Sequence, residues 1–316
     1  MKLHRLMATL VLCLVPFGAT AQKKDWEKSL AEFQANSRTC NGAHSSAPPS
    51  PAEQIAACTR VLDSYWLGRR ESKHDNVGRR YAHFYSMRAQ AYTRLAQSQN
   101  RSGDRAQAKA SYDRAIADYT TIISRHAQDL GPQLTAQVRQ TRGNTYAMKG
   151  DFDRAIGEYS EAMKTPDMRR PDVAMLYTLR DEAFRQKGNY DAAIADHAKA
   201  IELAPHETHD VAMAHTRYNA GQHRQAVQSA QRALTRNDLY APAVNVLAHA
   251  LVALGAREQA LLQFERAMLL GGGAQIQRFQ LALARHGYQV ERSGRYDPAT
   301  YKALKACVEA GCRLLE

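Results

Sequence analysis

The residues best equipped for chemistry in this 316-residue chain are its five cysteines and twelve histidines. Cys13 falls in an apolar N-terminal run; Cys40, Cys58, Cys307 and Cys312 sit near the two ends of the remaining chain. Their spacing matches no zinc pattern, so the chemistry expected of them is oxidation to disulfides, which suits an oxidising compartment. Sequential pairing, Cys40 with Cys58 and Cys307 with Cys312, keeps each bridge inside one local unit; four buried free thiols are the alternative. The string His206, Glu207, Thr208, His209 has the wrong spacing for a zincin helix and follows Pro205, so no metal is assigned to it. The other histidines are scattered. No nucleophile elbow or phosphate loop is present, so no catalytic residue and no cofactor is expected.

The first residues carry Lys2 and Arg5, then an apolar run from Leu6 to Phe17, then Ala19, Thr20 and Ala21 before polar sequence. This pattern is that of a secretory leader, residues 1–21, cleaved near Ala21. Leu12 stands where a lipoprotein leader needs a small residue, which disfavours lipidation of Cys13. No later apolar run reaches the roughly 20 residues of a membrane span. The expectation is a periplasmic chain without a stable transmembrane segment after processing. The formal charge is +12, to which Lys2 and Arg5 contribute two, leaving +10 after cleavage. In an exported protein such a surface favours wall polymer, lipid head groups or acidic proteins, and nucleic acid is not expected. The charge is equally consistent with solubilising residues spread over exposed faces.

Internal repetition supplies the elements that position these residues. SYDRAIADY from Ser111, DFDRAIGEY from Asp151 and NYDAAIADH from Asn189 superimpose, and two weaker copies follow. The key alanines Ala115, Ala155, Ala193, Ala226 and Ala260 recur at steps of 40, 38, 33 and 34 residues. Such a period signals stacked helical hairpins. Gly150, Gly188, Gly221 and Gly255 each lie five residues before the next key alanine, where a first helix must end. Arg88, Arg142 and Arg180 of the first helices match Asp118, Glu158 and Asp196 of the second; in the last two copies Met213 and Leu247 replace the arginine, and Ser229 and Gln263 the acid. Charges that vanish together are expected to be ion pairs between packed helices, with a structural role.

Gly143, Tyr146, Ala155, Tyr159 and Ala162, with Pro205 closing the third copy, resemble the tetratricopeptide repeat (TPR) family. The resemblance covers Tyr81 to Gly273, about five repeats, and implies an all-α fold: a right-handed α-solenoid of TPR hairpins with a small helical C-terminal unit. Asp181 and Arg217 depart from the family pattern, where a small and an aromatic residue are usual. Between Ala96 and Ser111 the first copy carries an insertion, expected to form a Ser/Asn/Gly bend and an elongated second helix. Residues 22–80 are expected to form a degenerate hairpin in which Cys58 replaces Tyr119 and a bridge to Cys40 substitutes for the lost aromatic.

The family's geometry implies a groove lined by first helices, placing His83, Gln90, Gln137, Asn144, Glu182, Arg185, His215, Tyr218, Asn245 and His249 near it. A protein or peptide partner is the implied ligand, and no enzyme activity is implied. Gln140 stands where a carboxylate-gripping lysine would be needed, so that binding mode is not expected. Residues 274–316 are similar to small peptidoglycan-binding domains through Gln277, Leu281, Leu283, Gly287, Tyr288, Gly294, Tyr296, Pro298, Thr300, Ala303 and Leu304. Two readings stay open: a cap on the array, or a cap that also tethers a periplasmic adaptor to peptidoglycan. Without wall binding, the chain reads as an interaction module of a secretion or envelope-assembly complex.

Overall fold

A computed structural model describes residues 17–43, 47–69, 76–312 and 314. The leader expected over residues 1–21 lies outside them as far as residue 16, as does Cys13. Among the described residues the fold is all-α, with no strand. The helices are α1 (Phe17–Cys40), α2 (Pro51–Leu62), α3 (Tyr65–Gly68), α4 (Val77–Arg101), α5 (Arg105–Leu130), α6 (Pro132–Lys149), α7 (Phe152–Met163), α8 (Arg170–Gln186), α9 (Tyr190–Leu203), α10 (Glu207–Asn219), α11 (His223–Arg236), α12 (Ala241–Ala253), α13 (Arg257–Arg285) and α14 (Pro298–Ala310). They form two compact units, residues 1–149 and 150–316.

In the first unit α1 packs on α2, α2 on α4, α4 on α5 and α5 on α6. Ser50 opens α2 through a reciprocal cap with Glu53, and Pro51 occupies the first helical position, where its missing N–H costs nothing. Cys40 is bonded to Cys58 in a core with Ala57, Val61, Leu67 and Phe84. The insertion lengthens both helices of its hairpin: α4 continues to Arg101, only Ser102 to Asp104 form the bend, and Asp104 caps α5 by accepting from Gln107 N–H at 3.0 Å.

In the second unit each helix from α7 to α14 packs on the next. Gly188, Gly221 and Gly255 end first helices with φ of 74° to 77°, the left-handed conformation that only glycine adopts cheaply. Ala193, Ala226 and Ala260 are fully buried where the paired helices approach, and Ala115 and Ala155 are buried likewise in their own units. A methyl at these places lets the backbones close to packing distance. The triple glycine does not separate a domain. Two helical stretches of α13 meet in it at a kink, where Gly272 leaves the helical conformation (φ 63°, ψ −162°). Ile276, Phe279, Leu283, Leu304 and Val308 then join the core that holds Val244, Leu251 and Phe264. Cys307 is bonded to Cys312, and Asp297 caps α14 by accepting from Thr300 N–H at 2.7 Å.

Candidate functional site

The first helices are held by one recurrent device. Arg88 forks onto Asp118, with Nε to Oδ2 at 2.9 Å and Nη2 to Oδ1 at 2.7 Å, and donates its remaining Nη1 to Thr59 Oγ1 at 3.1 Å. Arg180 repeats this with both Asp196 oxygens at 2.7 Å and Ser160 Oγ at 2.8 Å. Each guanidinium therefore ties a first helix to the second helix of its own hairpin and to the second helix before it. A tyrosine one turn back lies under it, Tyr85 and Tyr177 respectively, each at 5.4 Å. The bond to its aspartate raises the pKa of each arginine, whereas burial pushes Asp118 up against the pull of Arg88. The fork geometry is that of a charged pair. Arg142 donates to Thr120 Oγ1 at 3.0 Å, the equivalent hydroxyl; its expected partner Glu158 belongs to the other unit. The hydroxyls Thr59, Thr120 and Ser160 each follow Cys58, Tyr119 or Tyr159 by one residue, a signal in the repeat that the charge pattern alone did not single out.

Both family departures have physical partners. His197 stands where Tyr119 and Tyr159 stand in their copies, and its Nε2 lies 2.8 Å from Asp181 Oδ2, both side chains almost fully buried. The third copy exchanges a small residue facing an aromatic for an acid facing an imidazole. In the fourth copy Arg217 donates to Ser229 Oγ at 2.8 Å, at the place of the lost acid. The arginine has moved one turn along the first helix, from the position of Met213 to 217. Arg232 and Arg236 converge on Asp210, which is fully buried, at 3.2 and 3.0 Å.

Beside these contacts, several polar first-helix residues face outward. In the first unit His83, Gln90 and Gln137 are exposed and Asn144 is half-buried. His83 Nε2 lies 2.8 Å from Asn41 Oδ1, and partial burial lowers its pKa. In the second unit Glu182 bonds Gln186 and Arg185, and Tyr218 tilts against His223 with ring centroids 5.4 Å apart. His249 departs from expectation: it is 7% exposed, edge-on to Phe264 at 4.9 Å, with Nδ1 2.9 Å from Asn245 O. The apolar segment that follows the triple glycine extends the core past Phe264 to Phe279, so His249 belongs to packing.

His215 of α10 and Asn245 of α12 open onto a cleft of about 490 Å³, whose far wall is the last three turns of α13 with Gln275, Arg278, Leu281 and Arg285. His215 is the exposed ring there; desolvation, then His249 and Arg185, lower its pKa. Among the described residues no group of three or more potential metal ligands occurs. The arrangement can bind, through amide and imidazole hydrogen bonds over apolar floor, but it assembles no nucleophile with a base.

These stacked helical hairpins, with polar first-helix faces, define the class: a helical-repeat protein. The tetratricopeptide repeat profile matches residues 89–117 and 182–207, and the chain carries TPR repeats. The C-terminal part of a TPR repeat-containing protein from Cytophaga hutchinsonii superimposes with a TM-score of 0.54 at 17% identity, covering 89% of this chain and 94% of that one. BtubC from P. vanneervenii superimposes with a TM-score of 0.51 at 19% identity, covering 77% and 95%. At these identities the likeness is one of fold. No curated protein matches the sequence. TPR proteins generally bind protein or peptide segments without catalysis, and no helix among the described residues is long and apolar enough to cross a membrane.

Proposed function

We propose that this chain is a non-enzymatic periplasmic scaffold that holds an extended segment or helix of a protein partner against its first-helix faces. The observation that carries the reading is the division of labour along those helices. Arg88 and Arg180 are consumed in three-helix contacts, while Gln90, Gln137 and His215, on other faces, stay exposed. Export rests on the leader pattern of residues 1–21 and on the pairing of all four remaining cysteines, Cys40 with Cys58 and Cys307 with Cys312.

The test is photo-crosslinking in the periplasm from probes at Asn144 and His215, with the intact mass of the recovered chain. A chain beginning near Gln22 and a discrete protein adduct support the proposal. A chain that retains its leader in the cytoplasm, or no adduct at either probe, contradicts it.

A second reading adds a peptidoglycan tether. Its support is the turn before α14, where buried Gln280 donates to Arg295 O at 2.9 Å and Thr300 Oγ1 at 3.1 Å and accepts from Gly294 N–H at 3.0 Å. That latch gives residues 286–297 a fixed shape around Gly294 and Tyr296, two of the residues that carry the wall-domain resemblance. Co-sedimentation with isolated sacculi, lost when the chain ends at Gly273, is the expected result; a full-length chain that stays in solution leaves the segment as a cap alone.

A further inference from the structure

The cleft between α10, α12 and the end of α13 is built asymmetrically. One wall offers His215 and Asn245; the other offers Arg278 and Arg285, both exposed, and none of its described lining residues is acidic. Neither arginine has a hydrogen bond, ion pair or ring contact among the described residues, in contrast to Arg88, Arg180, Arg217, Arg232 and Arg236, which all do. Leu281, Pro242 and Leu314 supply an apolar floor between the polar walls. Two guanidinium groups with no acidic partner among the described residues, over a half-apolar cleft, attract carboxylates and disfavour cations.

Spacing narrows the ligand further. Arg278 and Arg285 are seven residues apart, two turns, so they share a face and lie about 10 Å apart along the helix axis. Side chains three residues apart in a polyproline II segment share a face and lie about 9 Å apart, close to the same distance. We propose that the cleft takes an acidic segment of a protein partner in polyproline II conformation, with carboxylates at every third residue meeting Arg278 and Arg285 and small apolar residues between them resting on Leu281 and Pro242. This deepens, and rests on, the scaffold reading, and it places the selectivity of that scaffold in the segment after the triple glycine.

The experiment uses the processed full-length chain and an end-blocked, fluorescein-labelled peptide with glutamate at every third position, read by anisotropy. Binding is expected, weakening as salt rises. The same peptide with glutamine in place of glutamate should bind at least about tenfold more weakly, and the variant R278E/R285E should lose about a hundredfold, roughly tenfold for each charge-assisted contact. Both positions are exposed, so the variant is expected to keep its helical circular dichroism. Equal binding of the two peptides, or unchanged binding by the variant, overturns the proposal. So does sacculus binding that depends on Arg278 and Arg285 while the acidic peptide stays free, because the occupant is then wall polymer. In those cases a protein adduct from Asn144 and His215 leaves the scaffold reading standing, whereas loss of that adduct removes the scaffold itself.

Discussion

Asp196 is 7% exposed and holds both arms of the Arg180 fork. Asp196→Ala would strand a guanidinium among packed helices, at a cost of about 3 kcal/mol. The fourth copy shows a tolerated alternative, Met213 with Ser229, and Arg180→Met combined with Asp196→Ser should cost less than Asp196→Ala alone. Urea unfolding of Arg180→Met, Asp196→Ser and their combination, beside Asp196→Ala, checks this; a double variant as damaged as the sum of its singles contradicts the pairing. Gly294 is a second such point. Its φ is +69°, and a Cβ there would sit 3.0 Å from Gly273 O, so Gly294→Ala should destabilise the C-terminal helices by about 1 kcal/mol or more. Circular dichroism melts of this variant beside Gly287→Ala, which meets no atom within 4 Å, separate the close approach from the backbone preference. The Arg88–Asp118 and Arg180–Asp196 pairs were legible in the sequence because both members disappear in the same copies. The hydroxyls Thr59, Thr120 and Ser160 were legible in principle, at a fixed offset from the aromatic position, but threonine and serine are too common on helices to stand out. The Asp181–His197 pair was half-legible: Asp181 registers as a departure, and its cause lies in a second departure sixteen residues on that only packing connects to it.

Among the elements, the turns followed directly from sequence because each needs a left-handed residue, and Gly188, Gly221 and Gly255 supply it. Caps differ between copies. Asp151 and Asn189 accept from Arg154 N–H and Ala192 N–H, each at 3.3 Å, whereas Gln222 and Ala256 make no such bond. Asn189→Ala should cost about 1 kcal/mol, read as faster amide exchange in the first turn of α9. The Cys40–Cys58 bond closes a separation of 18 residues, and its reduction should loosen α1 and α2 by about 3 kcal/mol while exchange in the second unit is unchanged. Asp297 carries a pH dependence. Its bonds from Thr300 hold the carboxyl below the usual aspartate range, so the cap of α14 is complete above the unfolded value and is lost as pH falls through the lower folded one. Protection of the Thr300 amide, taken against the intrinsic exchange rate at each pH, should therefore fall in acid, and Asp297→Ala should remove that response. The insertion was less legible than the caps, since composition marked a bend but gave no sign that α4 would run on to Arg101.

At the scale of the molecule, the two units share a hairpin design, and each exposes first-helix residues, His83, Gln90 and Gln137 in one and His215 in the other. The sequence pattern separated this face from the packed one only through the family likeness, and misplaced His249, because the apolar segment after Gly272 extends the core beside it. The formal charge of +12 gains a location in part: Arg278 and Arg285 lie on a cleft and make no ion pair among the described residues. The most direct measurement of the scaffold claim is histidine modification by diethyl pyrocarbonate, with and without the crosslink-identified partner. His83 and His215 lie on first helices of the two units, and His206 and His286 lie at helix ends; all four are exposed. The account predicts that partner binding shields His83, His215 or both while His206 and His286 stay reactive. Shielding of His206 and His286 with His83 and His215 unchanged would contradict it.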